Sequence, residues 1–173
     1  MTKTAYIGFG SNLGDRGTTF HEALEALNRL PETLVKCRSR LYETEPEGLT
    51  DGGPSFLNAV VGLETSLRPQ DLMAMIRRVE LSLGKLPHHR SDMSRLIDLD
   101  LLLYGDEQLQ QGELRIPHPR MHNRAFVLVP LAEIAPHVKH PVFECSISTL
   151  LKRLPSEDRG RVLPLQQGLG PMI

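Results

Sequence analysis

The chain has no tryptophan, only two cysteines among its 173 residues, and 5% aromatic residues. Cys37 and Cys145 stand in unrelated contexts. That excludes a disulfide framework and any cysteine-based metal spacing. An excess of charge of one sign is missing too. Twenty Lys and Arg face twenty-one Asp and Glu, for a formal net charge of −1. Bulk attraction to nucleic acid or to a membrane surface is therefore not expected, and any anion site must be built from locally placed basic residues. Long apolar runs are absent as well. The opening MTKTAYIGFGSNLG carries neither the apolar stretch nor the small-residue cleavage site of a signal peptide, and nothing approaches a membrane span. The expected compartment is the cytoplasm.

What is present reads as alternating strands and helices. Residues 4–9 form an apolar and aromatic run, a first strand, followed by the turn-rich GSNLGDRG. Phe20, Ala23, Leu24, Leu27 and Leu30 recur at helical spacing and stop at Pro31. Residues 34–42 and 56–63 read as strands, separated by the glycine- and proline-rich loop 45–55. Pro69 opens a second helix with a buried stripe of Leu72, Met75, Ile76, Val79 and Leu83, and Gly84 suits its C-terminal cap. The polar loop 85–94 leads into the strand SRLIDLDLLLYG. A short edge hairpin, the proline-rich IPHPRMHNRAF and a helix over 125–134 interrupted by Pro130 follow. The order strand, helix, strand, strand, helix, strand predicts an α+β protein, a ferredoxin-like β-α-β-β-α-β sandwich with additional C-terminal elements. Residues 1–162 are expected to form one domain, and residues 163–173 a loose tail.

Asp98 and Asp100 break the apolar strand. Side chains at i and i+2 share a face, so two carboxylates roughly 6–7 Å apart repel one another in partly dry surroundings. An edge strand with two solvated aspartates is one explanation. The unbroken Leu101–Leu102–Leu103 instead predicts a strand covered on both faces. On that reading a divalent cation accounts for the pair: hard carboxylate oxygens suit Mg²⁺, which is commonly shared with substrate phosphates. Basic residues flank the pair in sequence. Lys85, His88, His89, Arg90 and Arg95 precede it, and Arg115, His118, Arg120, His122 and Arg124 follow. Singly each suits a solvated surface; together they form a candidate polyphosphate clamp. Gly8-Phe9-Gly10-Ser11-Asn12-Leu13-Gly14 is one residue longer than a dinucleotide fingerprint, and a tight structural turn is the expected role. Phe56 and Asn58 share a strand face, where an aromatic ring beside a carboxamide suits a flat heterocycle. Phe126 is a further aromatic next to a polar loop.

These stretches in order, YIGFGSNLGDR, LYETEPEG, FLNAVVGLETSL, RLIDLDLLLYG and IPHPRMHNRAFVLVPLAEIAP, resemble the 6-hydroxymethyl-7,8-dihydropterin pyrophosphokinase family over roughly residues 5–136. The resemblance implies a ferredoxin-like fold and Mg²⁺-dependent transfer of pyrophosphate from the co-substrate ATP to the pterin hydroxymethyl group, releasing AMP, in folate biosynthesis. It implies two Mg²⁺ ions at Asp98 and Asp100, and Lys85, Arg95, His118 and Arg124 as the cations acting in transfer. Arg77, Glu80, Arg95, Leu101, Leu114, Arg115, His118, Pro119 and Arg124 correspond to the ATP site. Thr44, Glu45, Glu47, Phe56, Asn58 and Phe126 correspond to the pterin site, with the two rings sandwiching the pterin. ATP and the pterin are the implied partners, to a monomer with no nucleic acid or membrane partner. The departures gather in loop 85–94: Lys85 replaces an arginine, Pro87 stands where a second basic residue is common, and Asp92 and Met93 replace an aromatic and a glycine. Lys85 and Arg90 are expected to compensate in part, and loops 48–55 and 85–94 to close over bound nucleotide. A ferredoxin-like binding module without catalysis, or a nucleotidyltransferase using the acidic pair, are the competing readings.

Overall fold

A computed structural model describes residues 1–12, 15–45, 55–84 and 97–165. The first strand, β1 (Lys3–Ser11), runs through both glycines that the sequence pattern assigned to its end and to a turn. Helix α1 (Arg16–Asn28) starts at Asp15, whose carboxylate accepts from the Thr18 N–H and satisfies one of the unpaired donors of the first turn. The single strand expected over 34–42 is two strands, β2 (Thr33–Arg38) and β3 (Tyr42–Thr44). Ser39 is the reason. Its backbone N–H donates to Val60 O, while its hydroxyl oxygen accepts from Val60 N, so a side chain takes over a ladder bond and the strand breaks there.

Strand β4 (Phe56–Thr65) and helix α2 (Pro69–Ser82) follow. Leu72, Ile76 and Val79 of α2 are buried as its stripe predicts, and Gly84 has the left-handed φ of 102° that suits a position just past a helix end. Strand β5 (Asp98–Tyr104) begins at the first aspartate. Strands β6 (Leu109–Gln111) and β7 (Leu114–Ile116) make the expected small hairpin, and a one-turn 3-10 segment (Met121–Asn123) leads into α3 (Ala125–Ile134). Pro130 does not interrupt α3. It is buried within the helix, and packing of Val127, Leu128 and Leu131 against the sheet offsets the lost backbone bond. Two short helices, α4 (Ile147–Arg153) and α5 (Ser156–Gly160), and a two-residue strand, β8 (Leu163–Pro164), complete the described chain. The expected loose tail is thus fastened at its start: β8 pairs with β3, and Leu165 N donates to Leu41 O.

The main sheet runs β5-β1-β4-β3-β8, with β2 also on β4, and every pairing among these strands is antiparallel. β2 and β3 lie end to end along one edge of β4, β2 against residues 61–65 and β3 against 56–58. The architecture is α+β. One core, with Ile7, Phe9, Leu57, Leu63, Leu99 and Leu101, lies under α1 and α2. A second core, with Val60, Leu102, Leu103, Leu128 and Leu131, lies under α3 and α4 on the other face. The run of three leucines in β5 serves both cores. The β1–β5 register shifts between Tyr6 and Ile7, so Leu102 is the extra residue of a bulge, and Leu102 and Leu103 both reach the second core. No helix among the described residues is long and apolar enough to cross a membrane.

Candidate active site

Pairing aligns a polar row across the sheet. Asp98 of β5 lies opposite Gly10 of β1, Gly10 opposite Asn58 of β4, and Asn58 opposite Tyr42 of β3. The next row is Asp100, Gly8 and Val60. Directly paired residues of an antiparallel sheet share a face. The acidic pair, the carboxamide and the two glycines therefore occupy one face, the one that α3 and α4 cover further along at Leu102 and Val60. Thr44 and Phe56 pair on the same face beyond Asn58.

The carboxylates crowd one another. Burial first, then the charges of Asp98 and Glu80, push the Asp100 carboxyl up to about 6, against the pull of Arg124 and Arg77. Glu80, 1% exposed on α2, accepts from Leu99 N (2.8 Å) with one oxygen and from Arg77 Nη1 (2.9 Å) with the other. Leu99 lies between the two aspartates on the outermost strand of its sheet, so Glu80 closes a backbone donor that the ladder leaves open. Helix α2 is thereby fixed to the strand that carries the acidic pair.

Cations meet these acids from the segment before α3. His118 N donates to Leu102 O, which docks the PHPR segment onto the free edge of β5. His118 Nδ1 accepts from Arg120 N (3.2 Å), so the neutral ring carries its hydrogen on Nε2 as a donor. Burial, with Arg124 and Arg120 nearby, pushes its pKa down to about 4, while Asp98 opposes that shift. His118 is therefore a neutral donor at physiological pH. Arg124 immediately precedes α3 and lies 5.4 Å from the centre of the Phe126 ring, which half-emerges from the second core. On the far side, Asn58 Nδ2 donates to Thr44 Oγ1 (2.7 Å); both residues are buried. Phe56 is half-buried two residues before Asn58, and Glu45 is exposed just past β3.

Of the residues singled out in the sequence, Asp98, Asp100, Glu80, Arg77, His118 and Arg124 come together electrostatically, with Thr44, Asn58 and Phe56 on the same sheet face. Leu101 and Leu114 place their side chains in the first core, while Arg115 and Pro119 are exposed. Glu47, Lys85 and Arg95 lie outside the described residues, as do Pro87, Asp92, Met93, all of loop 85–94 and all of loop 48–55 but Ser55. Two features escaped sequence reasoning. The strut formed by Glu80 carried a signal, since Glu80 sits at i+4 from Ile76 on the buried stripe. Arg16 carried none: its Nη1 donates to Ser55 O (2.8 Å) and Ser55 Oγ, and its Nη2 to Glu43 Oε1 (3.0 Å), tying the end of β3 to the start of β4 from 27 and 39 residues away.

Residues 6–136 match the model of the 7,8-dihydro-6-hydroxymethylpterin-pyrophosphokinase family. The chain belongs to that family. It is 40% identical over 141 residues to a 2-amino-4-hydroxy-6-hydroxymethyldihydropteridine pyrophosphokinase of Pseudomonas aeruginosa, covering 82% of this chain and 86% of that one. It is 41% identical over 139 residues to the protein of the same name from Bacillus subtilis, covering 80% and 82%. Among solved structures it resembles an HPPK-DHPS in complex with substrates (TM-score 0.67, 15% identity) and the wild-type Plasmodium falciparum HPPK-DHPS (TM-score 0.67, 16% identity). Each likeness covers 88% of this chain but only 43% and 45% of those chains, so this chain spans less than half of either. At such identity the likeness shows the fold alone.

Proposed function

We propose that this chain transfers the pyrophosphoryl group of ATP to the hydroxymethyl oxygen of 6-hydroxymethyl-7,8-dihydropterin, releasing AMP, as a step of folate biosynthesis. The observation that carries the reading is the row Asp98–Gly10–Asn58, which sets an acidic pair and a ring-reading carboxamide on one sheet face in a member of this family. The strand order β5-β1-β4 with β2 and β3 on one edge supports the ferredoxin-like description. Residues 1–162 read as a single pyrophosphokinase domain. The substrates are two small molecules, and the chain acts as a cytoplasmic monomer without nucleic acid or membrane partners.

The donor set fits Mg²⁺. Asp98 and Asp100 offer hard oxygens, and the raised Asp100 carboxyl marks a site that favours added positive charge. The two aspartates would hold two Mg²⁺ ions, which when bound neutralise phosphate charge on both sides of the transferred group. Everything else falls to side chains of this chain. His118 donates through Nε2 and Arg124 through its guanidinium to phosphate oxygens, with Arg95 and Lys85 completing the cationic set. Arg77, Arg115 and Pro119 flank the nucleotide together with the backbone at Leu101 and Leu114, whose side chains lie in the first core, and Glu80 holds the strand beneath it. Phe56 and Phe126 stack on the pterin, Asn58 reads its edge, and Thr44 fixes the Asn58 amide while Glu45 and Glu47 border the ring. The pterin hydroxyl oxygen then bonds to the β-phosphorus, giving up its proton to solvent, as the bond to the α,β-bridging oxygen breaks and AMP leaves. Positioning and charge suffice for such a loose transition state.

Incubation with ATP, Mg²⁺ and the dihydropterin tests the assignment. AMP and pterin diphosphate in equal amounts are the expected products. ADP, AMP with free pyrophosphate, or no turnover would each contradict it.

A further inference from the structure

Glycine inside a central strand weakens it, because it loses more backbone entropy than other residues and packs no side chain. Three described glycines sit within strands β1 and β4. A Cβ at Gly62 would clash with Cys37 Sγ at 2.7 Å, and one at Gly8 would rest on the two Leu102 methyl groups at 3.4 Å, against the second core. Among the described residues Gly10 has no such reason. There its Cβ would meet Asn58 Oδ1, at 3.5 Å, an ordinary contact. Nor does its backbone need glycine, since the described glycines with positive φ are Gly84, Gly105 and Gly112. What distinguishes Gly10 is its place: midway between Asp98 and Asn58 in the same cross-strand row, with its missing side chain directed to their face.

A strand glycine often marks a bulge, a bend or a close approach of ligand or backbone; the β1–β5 bulge lies at Tyr6/Ile7, away from Gly10, and its place between Asp98 and Asn58 favours a ligand. We infer that Gly10 is the floor of the reaction centre, left bare so that the 6-hydroxymethyl arm of the pterin, read at Asn58, reaches the phosphoryl group held at Asp98. The inference rests on the pyrophosphokinase reading and adds a specificity role: Gly10 sets the room available to the substituent at C6 of the ring. A methyl group there occupies the space of the arm, and it meets the Asn58 carboxamide only at an ordinary contact distance that leaves the ring-reading group in place.

The test is Gly10→Ala, with binding measured by pterin fluorescence in the presence of Mg²⁺ and a non-hydrolysable ATP analogue. Two probes are compared, 6-hydroxymethylpterin and pterin unsubstituted at C6. The variant is expected to melt at the same or a higher temperature, because alanine restricts the unfolded chain. Its Kd for 6-hydroxymethylpterin is expected to rise about tenfold or more, while that for the unsubstituted ring stays within about twofold. Gly10→Ser extends the intrusion and is expected to weaken binding of the hydroxymethyl compound further. Equal loss for both probes, unchanged affinity for both, or a variant that fails to fold would overturn the inference, the last because it would make Gly10 a packing residue. Wild-type turnover keeps the two levels apart. If the wild type makes no pterin diphosphate, the underlying reading falls and the inference with it. If the wild type is active and the variant discriminates as the wild type does, the inference alone falls.

Discussion

Asp100→Asn is expected to raise the melting temperature of the ligand-free protein at pH 8 and to remove nearly all of its turnover. The two effects have one source. Asp100 is held at about 6, above its ordinary value, first by burial and then by the charges of Asp98 and Glu80. An acid whose folded pKa is raised contributes stability that is fully present below the unfolded value near 4. That contribution is lost as pH rises through about 6. At pH 8 the folded protein therefore holds a carboxylate that the unfolded chain would hydrate better, at a cost on the order of 2 kcal/mol. Asparagine removes that cost and is expected to raise Tm by roughly 4–8 °C in a chain of this size. It also removes a hard, charged ligand from the acidic pair, and turnover should fall by about 10³-fold, the scale of losing a central electrostatic element. Melts of wild type and variant at pH 4 and pH 8 check the sign: the gap should close at pH 4. A variant less stable than wild type at pH 8 would mean that Asp100 is a structural residue.

Glu80→Ala is expected to act the other way, lowering both stability and turnover. It removes the acceptor of Leu99 N and the partner of Arg77 in a site that is 1% exposed. An unpaired buried donor costs about 1–3 kcal/mol, which outweighs the relief given to Asp100, while the half-exposed Arg77 keeps Asp98 and Asp100 as neighbours and adds little. Tm should drop by roughly 2–12 °C. Turnover should drop as well, because the backbone between the two aspartates loses its tether to α2. Glu80→Gln keeps an oxygen for Leu99 N and should fall between alanine and wild type. Thermal melts with parallel turnover measurements check the order. Alanine and glutamine variants that melt together would show that the Leu99 bond is not what fixes β5.

Local signals made much of this molecule legible. Apolar runs located β1 and β4, period-3.6 patterns located α1 and α2, and the unbroken leucines of β5 announced a strand covered on both faces. The acidic pair on that strand pointed to the chemistry before any topology was known. What stayed hidden depends on contacts distant in sequence. The break between β2 and β3 is made by Ser39 bonding to Val60, 21 residues away, and the β5 bulge exists only in its register against β1. Gly10 looked like turn punctuation because a strand glycine and a loop glycine are identical in one dimension. Only the pairing with Asp98 and Asn58 separates them. The Arg16 ties to Glu43 and Ser55 left no trace in composition or period.

Catalysis by this site depends on the acidic pair as a cation site. Mn²⁺ titration followed by electron paramagnetic resonance, with a non-hydrolysable ATP analogue present, tests it most directly. Wild type should bind two ions tightly. The Asp98→Asn/Asp100→Asn double variant, which should remain folded, should lose tight binding beyond what the nucleotide itself carries. Unchanged stoichiometry and affinity in the double variant would contradict the account.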